Sequence, residues 1–120
     1  MTDWTALREA ILARCQNYCE LCGNALTDTF ALHHRKLKSR GGKDTIDNLV
    51  ALHHACHNMG NNAVHLNVQK ATASGHMVPT YATPSAYPLL LPNGSLVTLS
   101  EEGTYTVSYT HLTLPTKRIV

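Results

Sequence analysis

Apolar positions near the start of the chain recur at helical spacing: Trp4, Leu7, Ile11 and Leu12. They predict a helix over residues 3–15, with Thr2 or Asp3 able to cap its start. Cys19-Glu20-Leu21-Cys22-Gly23 reads as a tight turn. Two short apolar runs follow, Thr29-Phe30-Ala31-Leu32-His33 and Asn48-Leu49-Val50-Ala51-Leu52, and each predicts a strand. The polar stretch 38–47 between them is broken by Gly41-Gly42 and reads as a loop. A helical stretch is expected near Cys56 and another over about 68–74. Residues 77–92, rich in Pro, Tyr, Thr and Ser, show no clear period. Beyond them, Leu89 to Leu99 reads as a β-hairpin, because Asn93-Gly94 is a strong short turn signal between apolar runs. No internal repeat is visible. The expected class is small α+β.

At 120 residues the chain has room for one domain. It has one Trp and one Phe, so large core anchors are scarce. A short chain with a thin core often needs a staple, such as a metal or disulfides. No run is long and apolar enough to span a bilayer. The sequence Met1-Thr2-Asp3-Trp4 lacks the basic-then-apolar pattern of a secretion signal. A reducing, cytoplasmic setting is therefore expected, and the four cysteines read as metal ligands or free thiols before disulfides.

Cys19 and Cys22 form a CxxC, and His53 and Cys56 form an HxxC about thirty residues later. Zinc is held by four such donors in a closed tetrahedron, and a two-residue gap lets each pair point inward from one turn. A redox CxxC would need a helix starting at the second Cys, which Gly23-Asn24 breaks. His54 stands beside His53 as a rival ligand. Cys15, on the predicted helix, reads as a buried thiol.

The string Leu32-His33-His34-Arg35, then Gly41-Gly42, then Asp47-Asn48-Leu49-Val50-Ala51-Leu52, then Cys56-His57, then Val64-His65-Leu66-Asn67 resembles the HNH endonuclease family, in particular small phage-type members. The resemblance covers about Cys19 to Val78. It implies a ββα-metal (HNH, His-Me finger) core with an added N-terminal helix and a short C-terminal β-hairpin. It implies DNA phosphodiester hydrolysis, with His34 as general base and Asn48 holding the loop that carries the base. His33, His57 and His65 would bind a catalytic divalent metal, Mg²⁺ or Mn²⁺, while Cys19, Cys22, His53 and Cys56 would bind structural Zn²⁺. Much of the family has its last His three residues after the Cys-His pair. That position is Asn61 here, which leaves Asn61 and His65 as rivals. His76 stands where a Trp is usual. The implied organisation is a nuclease domain over 1–78 and a hairpin extension over 79–106.

Charge is nearly balanced at +2, so net charge argues little for nucleic acid. Its distribution argues more: Arg35, Lys36, Lys38, Arg40 and Lys43 form a basic run next to the His pair, suited to phosphate contacts that position DNA without reading bases. Genome packaging beside a phage terminase, in the host cytoplasm, is what a phage-type resemblance implies. A non-catalytic zinc-stabilised module that binds nucleic acid is the competing function, and a delivered toxin-like nuclease is a third. Residues 107–116 resemble a translated sequencing-library adapter, so 107–120 is expected to be a non-native tail. That tail holds Lys117 and Arg118 and no acid, so the net charge without it would be zero.

Overall fold

The computed structural model describes residues 2–60 and 63–107. Helix α1 runs over Trp4–Cys15. The Asp3 carboxylate accepts the Ala6 N–H at 3.1 Å, which satisfies one of the donors a helix start leaves open. The helix stops where Gln16 and Asn17 turn left-handed, at φ 55° and 65°. Their N–H groups return to the Leu12 carbonyl.

Strands β1 (Ala31–His34) and β2 (Leu49–Leu52) pair antiparallel, with His33 opposite Val50 and His34 opposite Leu49. All four residues of β2 are buried, which explains its unbroken Leu-Val-Ala-Leu run. Side chains alternate along a strand, so β2 feeds two cores. Leu49 and Ala51 pack with Ile11 and Cys15 beneath α1. Val50 and Leu52 pack with Cys19, Val64, Ala71, Met77, Leu89, Val97 and Leu99. The strand register therefore puts His33 and His34 on opposite faces.

One wide helical turn over Ala55–Met59 follows β2, closed by the Gly60 N–H on the Ala55 carbonyl at 2.7 Å. A tight turn over Val64–Leu66 leads into helix α2, Val68–Ser74. The expected hairpin is present as β3 (Leu89–Leu90) and β4 (Leu96–Leu99), paired across the Asn93-Gly94 turn. A third strand, β5 (Tyr105–Val107), adds to its far side. Val107 pairs with Val97, so the sheet runs one residue into the segment expected to be foreign. Residues 108–120 of that segment lie outside the described residues.

A buried network ties these pieces together. The Glu20 carboxylate accepts from the Arg14 guanidinium at 2.8 and 3.0 Å, from the Ala51 N–H at 2.8 Å and from the Tyr105 hydroxyl. A buried carboxylate persists only when paired and hydrogen-bonded, and this one has partners from α1, β2 and β5. Among the described residues, no helix is long and apolar enough to cross a membrane.

Candidate metal centres and catalytic site

Cys19, Cys22, His53 and Cys56 bring their donor atoms within 4.8 Å of one another. The first pair sits in a turn closed by the Gly23 N–H on the Cys19 carbonyl at 3.0 Å. Gly23 has φ +82°, and a Cβ there would meet the Pro92 ring at 2.8 Å, so only glycine suits the position. The second pair follows β2 directly. The His53 Nε2–H donates to the Ala25 carbonyl at 2.9 Å, which leaves Nδ1 as the donor atom, 3.3 Å from the Cys22 sulfur.

Burial would raise the Cys19 thiol, but backbone N–H groups at its sulfur outweigh that and hold it below the ordinary range. The Leu21 and Cys22 N–H groups lie 3.4 and 3.5 Å from it. Cys56 is pushed up to about 12, first by burial and then by the charge on Cys19. A divalent cation would offset that repulsion and draw the proton off the Cys56 thiol on binding it. Three sulfurs and one imidazole at this spacing are a donor set that could hold zinc.

A second cluster draws one histidine from each of three elements. His33, from β1, His57, from the wide turn, and His65, from the turn before α2, also place donor atoms within 4.8 Å. The ring centroids are 4.6–5.1 Å apart, and the Nε2 atoms of His57 and His65 face each other at 3.1 Å. His33 is buried, and its Nε2–H donates to the His76 carbonyl at 2.8 Å, so Nδ1 keeps its lone pair. Burial, against that hydrogen bond, holds His33 down at about 3. Burial and the neighbouring His65 ring also lower His57. A metal needs neutral imidazoles, and both rings are kept neutral. Asn61, the rival ligand, lies outside the described residues.

His34 faces the other way. Its Nε2 lies 2.7 Å from Asp44 Oδ1, and its ring meets Trp4 edge-on at 6.2 Å. Asn48 is buried, and its side chain spans the loop between the strands. Oδ1 accepts the Lys36 N–H at 2.7 Å, and Nδ2 donates to the Lys36 and Lys43 carbonyls at 3.1 and 3.0 Å. Gly42 is required for this closure, since a Cβ would stand 1.7 Å from the Lys36 carbonyl oxygen. Residues 19–63 match the model of the HNH endonuclease family. No curated protein and no solved structure matches the chain.

The HNH match points to nuclease activity in general, in a family that uses divalent metals. It includes both Cys/His pairs, the His33-His34 pair, Asn48 and His57, and stops two residues short of His65. Several residues around the HNH segment carry no signal in the sequence that marks them as parts of the site. The His76 carbonyl orients His33, while its own ring is buried between Ser74 Oγ and the Glu20 carbonyl. Asp44 and Trp4 flank His34, and Thr2 donates to Asp44 from the other side. For Asp44 the one hint is its place as an acid within a basic loop.

The basic run divides. Arg35 is not available to DNA, contrary to expectation. Its side chain is fully buried and donates to the carbonyls of Gly75, Asp47, Pro84 and Tyr87. Burial pulls it down to about 10, still charged at neutral pH. It is a bracket between β1 and the chain beyond α2. Its alternation with His34 puts it on the inner face, which the sequence run of cations concealed. Lys36 and Arg40 are half-buried and donate to the Ala82 and Val78 carbonyls. Lys38 and Lys43 are exposed.

Proposed function

We propose that this protein is a metal-dependent endonuclease that hydrolyses DNA phosphodiesters with little sequence preference. The observation that carries the reading is the His33–His57–His65 cluster with His34 next to it at the end of one strand. On this reading β1, β2 and the Ala55–Met59 turn serve as the two strands and helix of a ββα-metal core. His34 takes the proton of the attacking water, whose oxygen bonds to phosphorus as the bond to the leaving oxygen breaks. A Mg²⁺ or Mn²⁺ ion at the three histidines would neutralise the charge that develops on the phosphoryl group and leaving oxygen. Asn48 keeps the loop in shape, and Cys19, Cys22, His53 and Cys56 hold structural Zn²⁺. The nuclease domain spans 1–78, with 79–106 as an extension that shares its core. A phage protein acting beside a terminase in the host cytoplasm fits this size and chemistry.

Cleavage of supercoiled plasmid tests the reading. Nicked or linear DNA should form with Mg²⁺ or Mn²⁺, and EDTA should stop it. If purified protein cuts nothing with Mg²⁺, Mn²⁺, Ni²⁺ or Zn²⁺, the binding-module function stands in its place.

A further inference from the structure

A general base must present one particular nitrogen, and a histidine has two. His34 lies at a strand end with its side chain about one-fifth exposed. Packing alone is a loose hold there: Trp4 touches one edge, and Leu49 is the neighbour across the strand pair. The firm contact is Asp44 Oδ1, 2.7 Å from Nε2. Asp44 is itself held from two sides. Its Oδ2 accepts the Thr2 hydroxyl at 2.9 Å, and Lys38 Nζ lies 3.4 Å from Oδ1. Thr2 lies before the HNH-matching segment, 42 residues from the carboxylate it binds.

We propose that Asp44 is the positioning residue for His34: it accepts the Nε2–H and so turns Nδ1, with its lone pair, toward the water to be deprotonated. The proposal rests on the nuclease reading above. A neutral imidazole carries one N–H, and giving it to Asp44 fixes which nitrogen is left. Many exposed ion pairs contribute nothing measurable. This one differs because both carboxylate oxygens are engaged, by partners from the N-terminus, from β1 and from the loop. Asp44 does not touch substrate on this account and acts only through the ring.

Asp44→Ala removes the acceptor, while Asp44→Asn keeps one. In the Asn variant, Lys38, which can only donate, favours oxygen at the Oδ1 position. The Thr2 hydroxyl can accept from the amide that replaces Oδ2. His34 binds no metal on this reading, but the acceptor that orients it acts as the outer partner of a metal-bound histidine does, and such partners are worth roughly 10–100-fold. Asp44→Ala should lower kcat for plasmid nicking by an amount in that range, with KM nearly unchanged. Asp44→Asn should recover most of the loss. Proton NMR provides a readout independent of cleavage. The His34 Nε2–H should give a slowly exchanging downfield signal in wild type and Asp44→Asn, absent in Asp44→Ala. Melting curves and zinc content guard against misfolding, and Thr2→Val, which frees one side of the carboxylate, should move both readouts the same way if Asp44→Ala does not fold. Wild-type cleavage rates in Asp44→Ala, or a His34 N–H signal that survives it, would overturn the proposal. If wild type cuts nothing, the nuclease reading fails, and the N–H signal alone still decides whether Asp44 holds the ring.

Discussion

The two metal-capable clusters share a donor spacing and differ in nearly everything else. Each gathers its donor atoms within 4.8 Å. The first offers three sulfurs and one imidazole, a full tetrahedral set for zinc. Its ligands come from two turns, one after α1 and one after β2, with Cys19 in the main core. The second offers three imidazoles and no fourth His, Cys, Asp or Glu among the described residues, which suits a site that must also receive substrate. Its rings stand on elements already fixed by β1, β2 and the packing around Val64. The contrast is between a metal that would make the fold and a metal that would use it.

The largest expected effect follows from the first cluster. Cys19→Ser or Cys56→Ser should lose the one tightly bound zinc per chain and with it cooperative unfolding. Structural zinc contributes about 10–16 kcal/mol in small domains, comparable with the entire stability of a typical one, about 5–15 kcal/mol. Metal analysis and a melting curve decide this. A zinc-free variant that melts like wild type would mean that the cluster is not a fold determinant.

The second cluster and the neighbouring His34 should behave in the opposite way. His34→Ala should cost about 10²–10⁴-fold in cleavage rate, the usual worth of a general base, while zinc content and melting stay near wild type. His33→Ala should also abolish cleavage, but by weakening the metal site, so excess Mg²⁺ or Mn²⁺ should partly restore it. Added metal should not help His34→Ala, because no cation accepts a proton there. Equal cutting by wild type and His34→Ala would remove His34 from the base role.

Much of this arrangement is legible in the sequence because spacing encodes it. The CxxC and HxxC pairs, the two strands and the Asn-Gly hairpin are local patterns, and local geometry suffices to build them. Contacts made at long range are not legible. Arg35 reads as one more loop cation, yet its four acceptors lie 12 to 52 residues away. His76 reads as a weak substitute for a Trp, yet its carbonyl orients a candidate metal ligand 43 residues earlier. β5 escapes prediction because three residues carry too little pattern to mark a strand, and its pairing depends on β4.

Acid should expose a cost that both regions share. His33 and His76 are buried, and burial lowers both from the ordinary 6.5, His33 to about 3. Such a ring stays neutral in the fold and takes up a proton only on unfolding. For His33 the contribution to stability is therefore intact above about pH 6.5 and is lost as pH falls from there toward 3, by up to about 1.4 kcal/mol per pH unit, and His76 acts in the same direction. Metal release acts in the same direction, since thiolates and imidazoles protonate. The melting temperature should fall steadily between pH 7 and pH 5, with metal content followed at each point. A flat profile would show that these rings are not held neutral.

The smallest effect concerns the loop that flanks only the second cluster. Lys38 and Lys43 are its exposed cations, on the segment that Asn48 pins between His34 and β2. A salt link from either to a DNA phosphate would release counterions without reading a base. Replacing both by Gln should weaken duplex binding and flatten its salt dependence, by about 0.9 in logarithmic slope for each phosphate no longer neutralised. Affinity should fall by the same factor for unrelated DNA sequences. Neither zinc content nor melting should follow, since the Cys cluster has no part in this loop. Arg35→Gln supplies the contrast. It should lower the melting temperature by stranding buried carbonyls, with the salt slope of the folded fraction unchanged. Fluorescence titrations at several salt concentrations, on two duplexes of different sequence, separate these outcomes. A change in preference between the duplexes would mean that the loop reads bases, and an unchanged slope would mean that DNA approaches the histidines from another side.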